Sequence, residues 1–306
     1  MKKRVLSFAL VCVMAFSMTA CAGKEKIGGN RVTISTADLK TSMWEELSKI
    51  DSVNIKLNGD LSIKGEVNAS KAGIELGNSG KYIFDFDSEA LINVKEPGAY
   101  INYKLDISSK NKKVFGNLQL DDANYEGECY VDVEDDIIDY YFNIGKGWYK
   151  DSAKTDEIKN LAIQEIAEYM DLDQFLIFLT DDVDVELEYL PVLSNKTVDL
   201  DGRECYELST VHGKEAIGGM PEFKMYYDMI QEYGYKICLY VDTETKLPIK
   251  MVYDIDIAMK DDSNGQEELI DFEDFTFEMT MVYNETDPIV VPDDVKNASY
   301  DYNAAK

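Results

Sequence analysis

The chain has 306 residues, with 59 acidic side chains against 31 basic ones and a formal net charge of −28. That balance excludes nucleic acid as a partner, because phosphate binding needs clustered Lys and Arg. It also repels anionic lipid head groups, so membrane contact falls to something other than the protein face.

Residues 1–21 read as a secretory leader ending in a cysteine. Lys2, Lys3 and Arg4 make the positive n-region, and 5–16 is an apolar run too short for a permanent membrane span. Met18-Thr19-Ala20-Cys21 is similar to the bacterial lipobox. That likeness implies a diacylglyceryl thioether on Cys21 and cleavage before it, and two acyl chains give stable anchoring. Loss of the three leader cations takes the charge from −28 to −31. The expected organisation is a signal over 1–20, a flexible tether over 21–35, one domain over 36–296 and a polar tail over 297–306. A split into two domains near Asp151 is the structural alternative.

In the domain, 36–50 reads as a helix with Thr36 as N-cap, and Leu39, Met43 or Trp44, Leu47 and Ile50 form its apolar stripe. The period then changes. From Val53 to Val67 every odd position is apolar or Gly and every even one polar, the mark of a strand with one dry and one wet face. The same alternation returns around Tyr82, Phe84 and Phe86, then over 101–107, 114–120 and 125–133. Gly145 and Gly147 break it, and helical spacing follows over 156–180. Strands resume over 183–189. Asp201-Gly202 between two strand patterns is a strong hairpin signal. A helix is expected over 221–233, then strands over 235–241, 247–259 and 275–283. The fold class is therefore α+β: one strongly curved antiparallel sheet, an open half-barrel, with helices packed on its concave face.

Three stretches resemble the LolA/LppX-type superfamily of lipoproteins and lipoprotein carriers. Residues 198–208, with Asp201-Gly202 and Cys205-Tyr206, are similar to its "dGk.cy.l" hairpin. Residues 240–251 match its Asp-led turn and Leu-Pro-x-Lys strand through Asp242, Leu247, Pro248 and Lys250. Residues 289–295, Ile-Val-Val-Pro-Asp-Asp-Val, are similar to its terminal segment. The resemblance implies a curved sheet around an apolar cavity that holds acyl chains in some members. No functional residue is motif-tagged in that superfamily, and none is carried over.

His212 is the only histidine, and no nucleophile elbow, P-loop, dinucleotide fingerprint or zinc-protease motif is present. A non-enzyme with no cofactor and no metal is expected. The acidic pairs, such as Asp121-Asp122 and Asp293-Asp294, lack EF-hand spacing and read as solvated turns. Candidates for lining a ligand cavity are Tyr82, Phe84, Phe86, Met251, Tyr253, Phe275, Phe277 and Met279, which share the dry face. A disulfide is expected between Cys205 and Cys238, both placed on the wet side, with Cys129 on the dry side as a small apolar residue. The function expected is that of a membrane-anchored lipoprotein carrying a hydrophobic ligand. The alternative is an envelope interaction or sensor module that binds a cationic protein, peptide or ion through its acidic surface.

Overall fold

The computed structural model describes residues 26–111 apart from 72–73, 94 and 97, residues 121–154 apart from 135–136, 144 and 146, and residues 191–213, 230–261 and 267–301 apart from 286 and 299. They form one sheet of fourteen strands. In chain order these are β1 (Lys26–Arg31), β2 (Ser52–Lys71), β3 (Ile74–Asn93), β4 (Gly98–Lys110), β5 (Ala123–Glu134), β6 (Ile137–Asn143), β7 (Trp148–Lys154), β8 (Val192–Leu193), β9 (Lys196–Leu200), β10 (Arg203–Gly213), β11 (Ile230–Asp242), β12 (Pro248–Asp261), β13 (Glu267–Tyr283) and β14 (Tyr300–Asp301). The spatial order is β1-β9-β10-β11-β12-β13-β2-β3-β4-β5-β6-β7-β14, with β8 beside β10. The sheet curves, and the β13–β2 pairing joins strands from both halves of the chain. Every pairing is antiparallel except that of β14 with β7.

The alternation of β2 decides the register. A one-residue slip would exchange the faces, so the partner strands must match its phase. Leu61 pairs with Phe84, Ile63 with Tyr82, and Gly59 with both Phe86 and Phe277. The odd positions of β2 and everything in register with them make an apolar face. The even positions make a polar one, with Asp60 opposite Asp85 and Asp85 opposite Asp106. In β13 the register shifts between Glu273 and Thr276, so apolar positions change from even to odd there. Phe272 and Phe277 consequently share the apolar face.

Two helices occur among the described residues, and they do not form a layer on the concave face. Helix α1 (Thr36–Leu47) buries Leu39 and Met43 on the apolar face against Leu208, Ile237, Leu239, Met251 and Met281. Its N-cap is Ser35, not Thr36: the Ser35 hydroxyl oxygen accepts from the Asp38 N–H at 3.1 Å. Helix α2 (Asp293–Ala298) lies on the opposite, polar face, where Val291 and Val295 pack against Tyr141, Tyr130 and Trp148. The helical spacing over 156–180 lies outside the described residues, as do the strands expected over 114–120 and 183–189. The helix expected over 221–233 is corrected at its end, because Ile230 to Tyr233 belong to β11 and pair with β12.

Two further boundaries move. The segment read as a flexible tether supplies β1, whose Lys26 and Ile27 pair with Asp199 and Val198 of β9. The segment read as a polar tail contributes the end of α2 and also β14, which extends the sheet beside Tyr149 and Lys150. The Asp-Gly hairpin is present as expected: Asp201 and Gly202 both take positive φ, 54° and 86°, the conformation a two-residue turn between twisted strands requires.

Candidate functional site

The eight predicted cavity residues all fall on the apolar face, and the structure brings them together. Met251 and Tyr253 lie in the cluster under α1, with Met279 at its margin. Phe86 and Phe277 form a second cluster, which Met279 and Phe275 also touch. Tyr82 and Phe84 form a third that shares Phe275 and Leu105 with the second. The rings meet edge-on, Phe86 to Phe277 at 6.1 Å and Phe275 to Phe277 at 6.3 Å between centroids. Such geometry adds to the apolar burial itself. Six of the eight are buried, so this part of the face is packed core. Gly59 is part of that packing. The Phe277 ring lies over it, where an added Cβ would stand 1.9 Å from the ring.

Past β3 the same face opens. Ile101, Cys129, Phe142 and Tyr149 form one cross-strand row over β4, β5, β6 and β7, and each is only half-buried. Tyr103 and Tyr140 flank the row, and Tyr125 is 53% exposed. Phe142 and Tyr149 stack at 5.7 Å, and the Tyr103 ring covers Gly127 as Phe277 covers Gly59. Burial pushes the Cys129 thiol up to about 11, and also pushes up the Tyr103 and Tyr140 hydroxyls. These are the signatures of a low-dielectric lining with few charges. The half-open row is absent from the predicted set. Tyr140, Phe142 and Tyr149 sit in β6 and β7, which the sequence reading did not separate from the glycine break.

Two concavities of about 390 Å³ each lie on the polar face among the described residues. The first is lined by Asp60, Asp85, Asp87 and Glu278 around Gly59. The second is lined by Asn102, Lys104, Glu126 and Glu128 around Gly127. Of the eight predicted side chains only Phe86 and Phe277 border either of them. Further along this face burial pushes the Asp254 and Asp271 carboxyls up. Lys236 beside Asp254 and Lys64 beside Asp271 offset that in part.

No family model matches this chain, and no curated protein matches it. Among solved structures it is similar to LprF from Mycobacterium bovis, at 11% identity and a TM-score of 0.34 over 86% of this chain and 99% of that one. It is also similar to a β-barrel-like protein of the domain of unknown function DUF1849 from Brucella abortus, at 9% identity and a TM-score of 0.22 over 76% and 99%. A DUF1329 family protein from Desulfovibrio piger follows, at 12% identity and a TM-score of 0.16 over 89% and 98%. Scores this low say nothing about activity, so the site is read from its own geometry.

The expected disulfide is corrected. No disulfide joins Cys205 and Cys238, and both are fully buried in one cluster with Val198, Tyr240 and Val252. They do not point to a wet side. Cys205 pairs with Asp242 and Cys238 with Ser209, so they stand four residues out of register. That is about 13 Å along the strands at ~3.3 Å per residue, beyond the ~7 Å Cα limit for a bridge. Burial pushes the Cys205 thiol up to about 11, and Asp242 adds to it. Cys129 lies on the apolar face. His212 falls near the end of β10, and Cys21 lies outside the described residues.

Proposed function

We propose that this chain is a lipid-anchored bacterial lipoprotein, exposed outside the cytoplasm, that holds an acyl chain non-enzymatically against the half-open row of β4–β7. The observation that carries this reading is the contrast along one face. Leu61, Phe84 and Phe86 are buried, whereas Ile101, Cys129, Phe142 and Tyr149, which lie on the same face in the neighbouring row through Ala90 and Ile55, are only half-covered. Half-covered aromatic and aliphatic side chains with few charges give an acyl chain a dry surface without a cost in polar desolvation. Burying eight methylenes there contributes at best about 6 kcal/mol, which corresponds to tens of micromolar. The anchor follows from the Cys21 lipobox. No helix among the described residues is long and apolar enough to cross a membrane.

The test is native mass spectrometry of protein extracted gently from its membrane, followed by titration with a fluorescent fatty acid. Co-purifying lipid and saturable uptake are expected, with uptake at least tenfold weaker in Phe142→Ser. A clean apo mass with no uptake overturns the reading. A second reading has its own observation: the concavity lined by Asp60, Asp85, Asp87 and Glu278 suits a cationic peptide or protein. Salt-sensitive retention of basic peptides with no lipid would select it.

A further inference from the structure

The position of β1 sets how the domain sits relative to its anchor. Lys26 is already paired with Asp199, and it follows Cys21 by five residues, which span at most about 18 Å. The start of β1 is therefore held close to any lipid on Cys21. Several other segments gather at that end of the sheet. The Asp201-Gly202 turn begins two residues past Asp199, and the Thr243 N–H donates to the Glu204 carbonyl at 3.0 Å. There too the Asn284 N–H donates to the Ser52 carbonyl at 2.8 Å.

Helix α1 returns to this end. It starts after Arg31, which pairs with Lys196 at the other end of β9, and it finishes four residues before Asp51 leads into β2 beside Tyr283. Trp44, in the last turn of α1, is 46% exposed. The second of the two tryptophans, Trp148, starts β7 at the far side of the sheet and lies tilted against Tyr130, with ring centroids 5.7 Å apart. It pairs with Asn143, at the opposite strand end from the Asp201-Gly202 turn.

We propose that the end of the sheet carrying the start of β1 faces the bilayer, with Trp44 at the lipid–water boundary. Trp suits that position because its ring is apolar while its N–H stays hydrated. The proposal rests on the reading that Cys21 is acylated. The partner it names is a zwitterionic lipid surface, since a chain this acidic is repelled by anionic head groups.

The experiment uses the mature acylated protein in phosphatidylcholine vesicles that contain a brominated acyl chain, a quencher of tryptophan. Intact mass establishes the acylation first. Emission of the wild-type chain is expected to be quenched at least twofold more than that of Trp44→Phe, whose remaining tryptophan is Trp148. Trp44 is half-exposed, and unchanged circular dichroism checks that the variant is folded. Equal quenching of the two proteins, or quenching of neither, overturns the orientation while leaving the anchor intact. A mass without acyl chains overturns the anchor and the orientation together.

Discussion

The packing of Phe277 over Gly59 gives the sharpest test of how the apolar face is built. In Gly59→Ala the new Cβ would stand 1.9 Å and 2.0 Å from two carbons of the Phe277 ring. Carbon atoms pack at about 3.5–4.0 Å, so the ring must move by roughly 1.5 Å. It has little room to do so. Phe277 is 1% exposed and meets Phe86 and Phe275 edge-on. Overpacking of this kind costs about 1–3 kcal/mol, against a gain of about 0.5–1 kcal/mol from replacing a strand glycine. Gly59→Ala alone should therefore destabilise by about 1–2 kcal/mol. Phe277→Ala should cost about 3–5 kcal/mol through the cavity it leaves. With both changes the new methyl enters that cavity, and Gly59→Ala becomes neutral or stabilising. Urea unfolding followed by circular dichroism, with a shared slope, gives the four midpoints of the cycle. Additivity within about 0.5 kcal/mol would refute the claim that the ring lies on the glycine.

At Gly127 an added Cβ meets the outer edge of the Tyr103 ring at 2.3 Å, but Tyr103 is half-buried and can swing away. Gly127→Ala should therefore cost under about 1 kcal/mol in the same assay, clearly less than Gly59→Ala. Cys205 and Cys238 should remain thiols: reductant leaves the unfolding midpoint unchanged, and a crosslinked peptide joining them in mass mapping would sink the register argument. Asp254 is held above the usual carboxylate range by burial, so the folded state binds its proton more tightly than the unfolded state. Its contribution to stability then grows as pH falls through the folded value and is complete below the unfolded one. Asp254→Asn should be more stable than wild type at pH 7, with the gap closing as pH drops past the ordinary carboxylate range. A gap that widens on acidification would show that the attraction of Lys236, and not burial, governs this group.

Much of the sheet was legible because period-2 alternation carries its own phase. The odd positions of β2 announced the apolar face, and the pairing of Gly59 and Leu61 with Phe86 and Phe84 follows from matching phases across strands. The Asp201-Gly202 turn was legible because few residues tolerate two successive positive φ angles. β6 and β7 were not. Ile138, Tyr140 and Phe142 alternate with Asp139 and Tyr141, so an aromatic stands on both faces and the contrast fades. Tyr141 is inward-looking in its own right, because Val291 and Val295 cover it on the polar face. The shift in β13 hid its first half for a similar reason, since alternation that changes phase at Glu273 reads as no alternation. The cysteine error has the same root. Both thiols occupy polar-face positions, yet the sheet is buried there as well, between Val198, Tyr240 and Val252.

Periodicity tells which face a side chain takes and is silent on what lies over that face. Phe84 in β3 and Tyr103, Leu105 and Ile107 in β4 have the same alternation and share one surface. Phe84 is 7% exposed, while its β4 neighbours remain half-covered. If the whole face were core, equal residue types in equal register would be equally buried, and the difference would have no source in the sequence. Packing supplies the source: α1 covers β10–β13 and the start of β2 through Leu39 and Met43, while Phe84 is closed in by Leu61, Tyr82 and Phe275. The residues with the strongest apolar signal are those expected to line a cavity, and packing consumes six of the eight. A ligand needs side chains that are apolar and still reachable. That condition moves the candidate site from Phe86 and Phe277 to the row through Cys129 and Phe142, two strands further along the same face.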